Sequence, residues 1–421
     1  MTISFKERCL KHFKSLGPGL ITGASGDDPS GIATYSQTGA QFGFQFTWTL
    51  LFTYPLMCAV QIMCARLGRI TGRGIAGNLR RHYPKAILYP VVFILLGTNI
   101  INLGADIGAM AAAVQLMVGG PILAYCLGFA VLSSLAQVFI PYTVYVRFLR
   151  WLCLSLLAYV ASAFIVKVQW LQVLKSTLIP HMKLDKDSIK ILIAILGATI
   201  SPYLFFWQAG QEVEEMECSD FRKPLKSSPL QAPKALERIQ TDTLTGMWAS
   251  NLIGIFIIIV TAVTLHASGK TQLDTAAQAA EALKPIAGKF AFFLFSMGMI
   301  GTGLLTVPIL AGSGAYAVGE ALGWTVGLET KPIRAKAFYG VIVVATLLGF
   351  VMNAVHLDPI KALIWTAIIN GIVAVPIIAL TIHMSTNEKV IGDLKLTPAL
   401  KMLTVIATLV MLLAVIFMVI L

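Results

Sequence analysis

The amino-acid sequence predicts an all-α polytopic membrane protein built from two five-helix repeats of opposite orientation and one further helix. Three observations predict it. The 421 residues are 57% hydrophobic and only 12% charged, about half of the roughly 25% charged residues of a soluble domain. Apolar runs of about 20 residues, the length that crosses a ~30 Å hydrocarbon core, recur along the whole chain. Two of these runs, the first and the sixth, are interrupted near their middles, at Ser25-Gly26-Asp27-Asp28-Pro29-Ser30-Gly31 and at Gly197-Ala198-Thr199-Ile200-Ser201-Pro202-Tyr203.

Taken in order, residues 1–15 are basic and polar and precede no signal-peptidase-like site, so they read as a cytoplasmic tail. Eleven candidate spans follow, at about 16–42, 46–64, 86–118, 122–142, 151–167, 189–209, 247–265, 290–322, 337–355, 359–383 and 399–421. The broken spans each open a block of five, giving a first repeat over 16–167, a second over 189–383 and an added helix at 399–421. An odd number of spans per repeat inserts the second upside down relative to the first. With the N-terminus inside, 23 of the 32 Lys and Arg fall on the cytoplasmic side. That excess places the C-terminus outside the cell or in the periplasm.

Between the spans, Cys218–Thr241 is polar and rich in proline and reads as a cytoplasmic linker. His266–Gly288 carries an Ala-rich stretch expected to form an amphipathic helix over the outer mouth. Six scattered cysteines with no C-x-x-C pair read as small buried hydrophobes rather than a disulfide framework or zinc site. The net charge of +12 is spread over loops, with no compact basic domain to hold nucleic acid. No Ser/His/Asp constellation and no phosphate-binding lysine after the Gly-rich run 298–303 is present, so no enzyme and no cofactor is expected.

The chemistry concentrates at the breaks. Proline has no N–H to give the preceding turn, so each break frees backbone groups, which are tolerated at membrane depth only where they line a cavity. Asp27 and Asp28 are adjacent carboxylates in the first break. One reading makes an aspartate the cap of a half-helix. The other makes the pair a cation site, because ionisable groups inside a membrane are costly and functional by default. Asp106, within the third span, reads either as a helix-packing residue or as part of the pathway. Glu212, Glu214 and Glu215 read as a solvated helix end or as an acidic vestibule, with Gln208 and Gln211 facing the same region. Asn353 and Asn370 are polar groups of the kind that pack helices in lipid, Asn370 being also a candidate for the site.

Gly17-Pro18-Gly19 followed by Asp28-Pro29-Ser30-Gly31 resembles the first helix of the NRAMP family of divalent-metal transporters, whose motif there is Asp-Pro-Gly-Asn. Gly197 to Tyr203 is similar to that family's Met-Pro-His helix, and Ala105-Asp106-Ile107 resembles its acidic third-helix segment. The resemblance implies the LeuT-like (APC) inverted-repeat fold, with the metal held by Asp28 and the backbone at Ala198. It also implies a divalent metal ion and the lipid bilayer as partners, and a single chain as the working unit. Gly31 stands where the family has Asn, and Ser201 where it has Met. Losing the thioether removes a preference for soft transition metals. A roomier oxygen site formed by Asp27, Asp28, Ser201, Ala198, Ser25 and Gly31 suits partly hydrated Mg²⁺, with Mn²⁺ also admitted. This resembles an NRAMP-related branch that transports magnesium. Tyr203 and Gln208 stand at the family's two sixth-helix histidines and Ala109 at an acidic position, so weak or absent proton coupling is expected. Two alternatives stay open: a proton-coupled Mn²⁺/Fe²⁺ transporter of the ordinary NRAMP type, and an amine or amino-acid carrier on the same fold.

Overall fold

The structure is a computed structural model and describes residues 22–23, 26–140, 154–219, 221–273, 275–355 and 358–420. Among the described residues the chain is helical throughout its regular structure, with no strand. The long helices are α1 (Pro29–Phe42), α2 (Thr47–Thr71), α3 (Ile75–His82), α4 (Lys85–Val118), α5 (Ile122–Phe139), α6 (Leu157–Ile165), α7 (Trp170–Leu178), α8 (Lys186–Thr199), α9 (Pro202–Glu217) and α10 (Ala232–Thr264). After a short helix α11 (Ala276–Ala280) come α12 (Ala291–Leu322), α13 (Lys336–Met352), α14 (Pro359–Thr386) and α15 (Pro398–Ile420). Eight segments among the described residues are long and apolar enough to cross a membrane, and the 17-residue α13 is a shorter apolar helix. Parts of the first, fourth, fifth and eleventh expected spans lie outside the described residues.

The interior solves the polar problem of a lipid-embedded chain locally. Buried threonines give their hydroxyls to a carbonyl one turn back, as Thr38 does to Thr34 O at 2.7 Å, Thr261 to Ile257 O at 2.7 Å and Thr381 to Ile377 O at 2.8 Å. Glycines then let backbones meet. A Cβ on Gly39 of α1 would fall 2.0 Å from Thr261 Oγ1 of α10, and one on Gly197 of α8 would fall 1.8 Å from Ala367 O of α14. Those two contacts fix the broken first and sixth spans against the rest of the bundle. Small residues at helix interfaces act in this way where lipid supplies no hydrophobic drive.

Both ends of the bundle are tied down. Gln37 of α1 accepts from Leu273 N at 2.9 Å and donates to Thr271 O at 3.1 Å, so one side-chain amide holds the loop before α11. The Ala-rich stretch does form a helix, α11, but one shorter and more buried than an amphipathic surface helix. Thr275 and Gln278 form a capping box for α11, and Ala279, Ala280, Ala282 and Leu283 are buried. Glu281 sits between Lys270 and Lys284, and the hydrogen bond from the Lys270 ammonium holds its carboxyl below the usual range. At the other end, Glu320 of α12 accepts from Gly74 N at 2.7 Å and Gly77 N at 2.9 Å, capping α3.

One sequence expectation needs correction here. The expected linker Cys218–Thr241 ends early, because α10 already begins at Ala232 and runs 33 residues. Its first turns are polar because they lie beside the charged end of α9, where Ile239 and Asp242 are nevertheless buried.

Candidate metal centre

The two breaks face the interior as the prolines require. Residues 26–28 are not helical, and Asp28 takes an extended conformation (φ −64°, ψ 168°) as the N-cap of α1. Its Oδ1 accepts from Gly31 N at 2.6 Å and Ser30 Oγ at 2.8 Å, and its Oδ2 accepts from Tyr203 Oη at 2.9 Å. A carboxylate offers about four acceptor directions, so one remains on Oδ2. Asp27 Oδ1 accepts from Ser250 Oγ of α10 at 3.0 Å. Asp27 and Asp28 are only 3% and 2% exposed. Neither forms an ion pair with a described lysine or arginine.

In the second break, α8 ends at Thr199 and α9 starts at Pro202. The carbonyl of Ala198 would ordinarily accept from the residue four places on, and that residue is Pro202, which has no N–H. Among the described residues it accepts from the Ser201 hydroxyl at 3.3 Å, while that hydroxyl donates more closely to Gly197 O at 2.5 Å. The carbonyl end of α8, with its partial negative charge, therefore lies at the same junction as the Asp28 carboxylate, to which Tyr203 binds from the first turn of α9. The candidate donors at the two breaks, the two carboxylates, the released carbonyl and the hydroxyls, are all oxygens. Gly31 contributes its backbone N–H to Asp28 rather than a donor to a cation. Ser25 lies outside the described residues.

The buried polar side chains with no hydrogen-bond partner among the described residues include Asp106 and Asn102 on α4 and Asn370 on α14. Asn102 and Asp106 are four residues apart and so share a helix face. The helix-packing reading of Asp106 called for a hydrogen bond that is absent here, whereas Asn353 does pack helices, donating to Gly104 O at 2.9 Å. Gln208 accepts from Thr22 Oγ1 across the two broken spans, and its Nε2 has no partner.

At the acidic end of α9 the three glutamates of the sequence reading have different surroundings. Glu212 is 0% exposed and accepts from Arg238 Nη2 at 2.5 Å, and Glu215 pairs with Arg222 at 2.7 Å and Arg238 at 3.2 Å. Glu214 accepts from Tyr316 Oη and from Glu329 N at 2.5 Å. Glu212 and Glu215 are thus neutralised by arginines, whereas Glu214, which has no cationic partner among the described residues, lines a cavity with Glu217, Glu320 and Glu329. Gln211 donates to Tyr316 Oη at 3.1 Å and so does not share the surroundings of Gln208. Sequence reasoning did not single out Ser250, Ser30, Asn102 or Arg238. The polar pair Ser250-Asn251 inside an apolar run was the available signal for the first of these.

The Natural resistance-associated macrophage protein-like family matches residues 19–421. A divalent metal cation transporter of Acidiphilium cryptum is 24% identical over 388 residues, covering 90% of this chain and 83% of its own. A solved manganese transporter of Eremococcus coleocola superposes with a TM-score of 0.72 at 15% identity, covering 98% of this chain and 87% of that one. Mhp1, a nucleobase-cation-symport-1 family transporter, gives 0.58 at 15% identity, covering 96% and 92%. At such identities the structural likeness is one of fold, and that fold is the LeuT-like one. The matches reach the whole family and do not single out its magnesium-transporting relatives. Over nearly its full length, then, the chain belongs to the Natural resistance-associated macrophage protein-like family of membrane transporters.

Proposed function

We propose that this protein carries a divalent metal cation across the membrane, binding it where the two breaks meet, with one chain as the transporting unit. The observation that carries the reading is the pair Asp27 and Asp28, buried without a cationic partner among the described residues and tied through Asp28 to Tyr203 of the second break. Buried charge of one sign calls for compensation, and a doubly positive ion supplies it. Asp28 holds the ion through Oδ2, and Tyr203 either yields its hydrogen bond or turns it to a water of the ion. Asp27 adds charge from the α10 side. Ser201, Gln208 and Asn370 can bind ligated waters.

The comparisons favour the ordinary NRAMP-type reading over a magnesium carrier, since the related proteins are named as divalent metal cation and manganese transporters. Mn²⁺ moved together with protons is therefore the first form of the proposal, with Asp106, buried and unpartnered, as the group available to a proton. One observation supports Mg²⁺ as the second form. No sulfur lies among the donors, Ser201 standing where a thioether would select softer metals. An inside-negative potential of 100 mV contributes about 4.6 kcal/mol to the entry of either ion.

Uptake into proteoliposomes separates these forms. Mn²⁺, Mg²⁺ and Ca²⁺ are offered under an imposed potential while an internal dye reports protons. Mn²⁺ entry with acidification supports the first form, and Mg²⁺ entry without it supports the second. Absence of all divalent uptake, with competition by amines instead, overturns both in favour of an amine carrier.

A further inference from the structure

Around α3 the chain gathers positive charge that no described carboxylate neutralises. Arg73 precedes the helix, Arg81 and His82 end it, and Lys85 opens α4 three residues later; all four are exposed and none forms an ion pair among the described residues. Arg73, Arg81 and Lys226 lie near enough to His82 for their charges to act on it. The His82 imidazole is pushed below its ordinary value, first by partial desolvation and then by the positive charges of Arg81, Lys226 and Arg73. Lys226 is fixed there by its bonds to Lys389 O at 2.9 Å and Val390 O at 3.2 Å. The opposite face of α3, with Ile75, Ala76 and Leu79, is buried in the bundle. The cations therefore cannot turn inward.

The surface next to this patch is apolar and faces outward. On α4, Lys85, Tyr89 and Phe93 follow at intervals of four residues, with Tyr89 46% and Phe93 77% exposed. Eight residues of helix span about 12 Å, so a cation, a phenol and a phenyl ring descend one stripe from the end of α4 toward the depth of acyl chains. A free phosphate would use the charge and leave that stripe without purpose. A lipid uses both.

We propose that this corner is a binding site for an anionic phospholipid, its headgroup held by Arg73, Arg81 and His82 and its acyl chain lying along Lys85, Tyr89 and Phe93. The headgroup receives charge-assisted hydrogen bonds from two guanidinium groups and an imidazole, and the chain covers rings that would otherwise meet lipid of any kind. Binding there braces α3 against α4, and through Glu320, which caps α3, against α12.

The test uses the full-length protein in nanodiscs of phosphatidylcholine alone or mixed with phosphatidylglycerol. Wild type is expected to melt several degrees higher, roughly, in the mixed lipid. The variant Arg73→Gln/Arg81→Gln/His82→Gln is expected to melt with wild type in phosphatidylcholine and to lose most of the added shift. Lys183→Gln/Lys186→Gln, which leaves the corner intact, keeps the shift. Inorganic phosphate added to phosphatidylcholine discs moves neither protein. An equal phosphatidylglycerol shift in the triple variant, or a shift reproduced by inorganic phosphate, overturns the proposal. Should the triple variant not fold, native mass spectrometry of wild type and Phe93→Ala decides: preferential retention of phosphatidylglycerol, weakened in Phe93→Ala, supports the site, and retention equal to phosphatidylcholine refutes it.

Discussion

Asp28→Asn is the perturbation that separates capping from cation binding at the first break. Asparagine caps helices about as well as aspartate. Its Oδ1 can keep the bonds from Gly31 N at 2.6 Å and Ser30 Oγ at 2.8 Å, and the Tyr203 hydroxyl, 2.9 Å away, can turn to accept from the new amide. Fold stability should therefore change by less than about 1 kcal/mol. Ion binding should not survive so well. A doubly charged ion about 4 Å from a carboxylate interacts by roughly 8 kcal/mol at an effective dielectric of about 20, most of it offset by lost hydration. If only a quarter remains as net binding, its removal costs about 2 kcal/mol, or about 30-fold in affinity. Isothermal titration with Mn²⁺ and with Mg²⁺, beside a thermal melt, reads both quantities. Unchanged melting with at least a tenfold loss, roughly, is expected. Unchanged melting with affinity within about threefold of wild type would refute the assignment of Asp28 as a ligand. Asp27→Asn, held by Ser250 alone and one residue further from the α9 junction, should lose less.

Other perturbations test neighbouring parts of the account. Ser201→Met replaces the hydroxyl on Gly197 O with a thioether and should move the Mn²⁺/Mg²⁺ uptake ratio toward Mn²⁺ by about tenfold, the effect of ~1.4 kcal/mol of soft-donor preference; an unchanged ratio counts against Ser201 as a site residue. Arg238→Met strands the fully buried Glu212 and should cost about 3–5 kcal/mol in chemical denaturation, with much of it recovered on adding Glu212→Gln. A double variant no more stable than the single would mean that the pair carries no such coupling. Gln37→Ala leaves Leu273 N and Thr271 O without their partner, at about 1–3 kcal/mol, so amide exchange over residues 271–283 should quicken by about fivefold or more while the bundle stays protected.

The breaks were legible in the sequence because their cause is covalent: a proline cannot donate, whatever surrounds it. Pro29 and Pro202 thus marked both junctions, and the two adjacent acids marked which one carries charge. The two readings of that pair turned out not to compete, since Asp28 is the cap of α1 and still has an acceptor direction free. What failed was long-range pairing. Glu212 read as solvated because its partner Arg238 lies 26 residues on, in a stretch polar enough to pass for a linker and in fact the first turns of α10. Ser250 escaped notice for the same reason, being brought to Asp27 across 223 residues. Gln211 sits only three residues from Gln208 and yet points to Tyr316, because three residues of helix turn a side chain by about 60° from its starting face. Ion choice was read from two substituted donors, and the comparisons support the broader family rather than that finer choice.

An anomalous difference map from crystals soaked in Mn²⁺ tests the central claim most directly. The account predicts a peak within coordination distance of the Asp28 carboxylate or of its ligated waters, beside the Ala198 carbonyl and the Ser201 hydroxyl. A well-occupied peak confined to the Glu214 and Glu320 end, with none between the two broken helices, would contradict it.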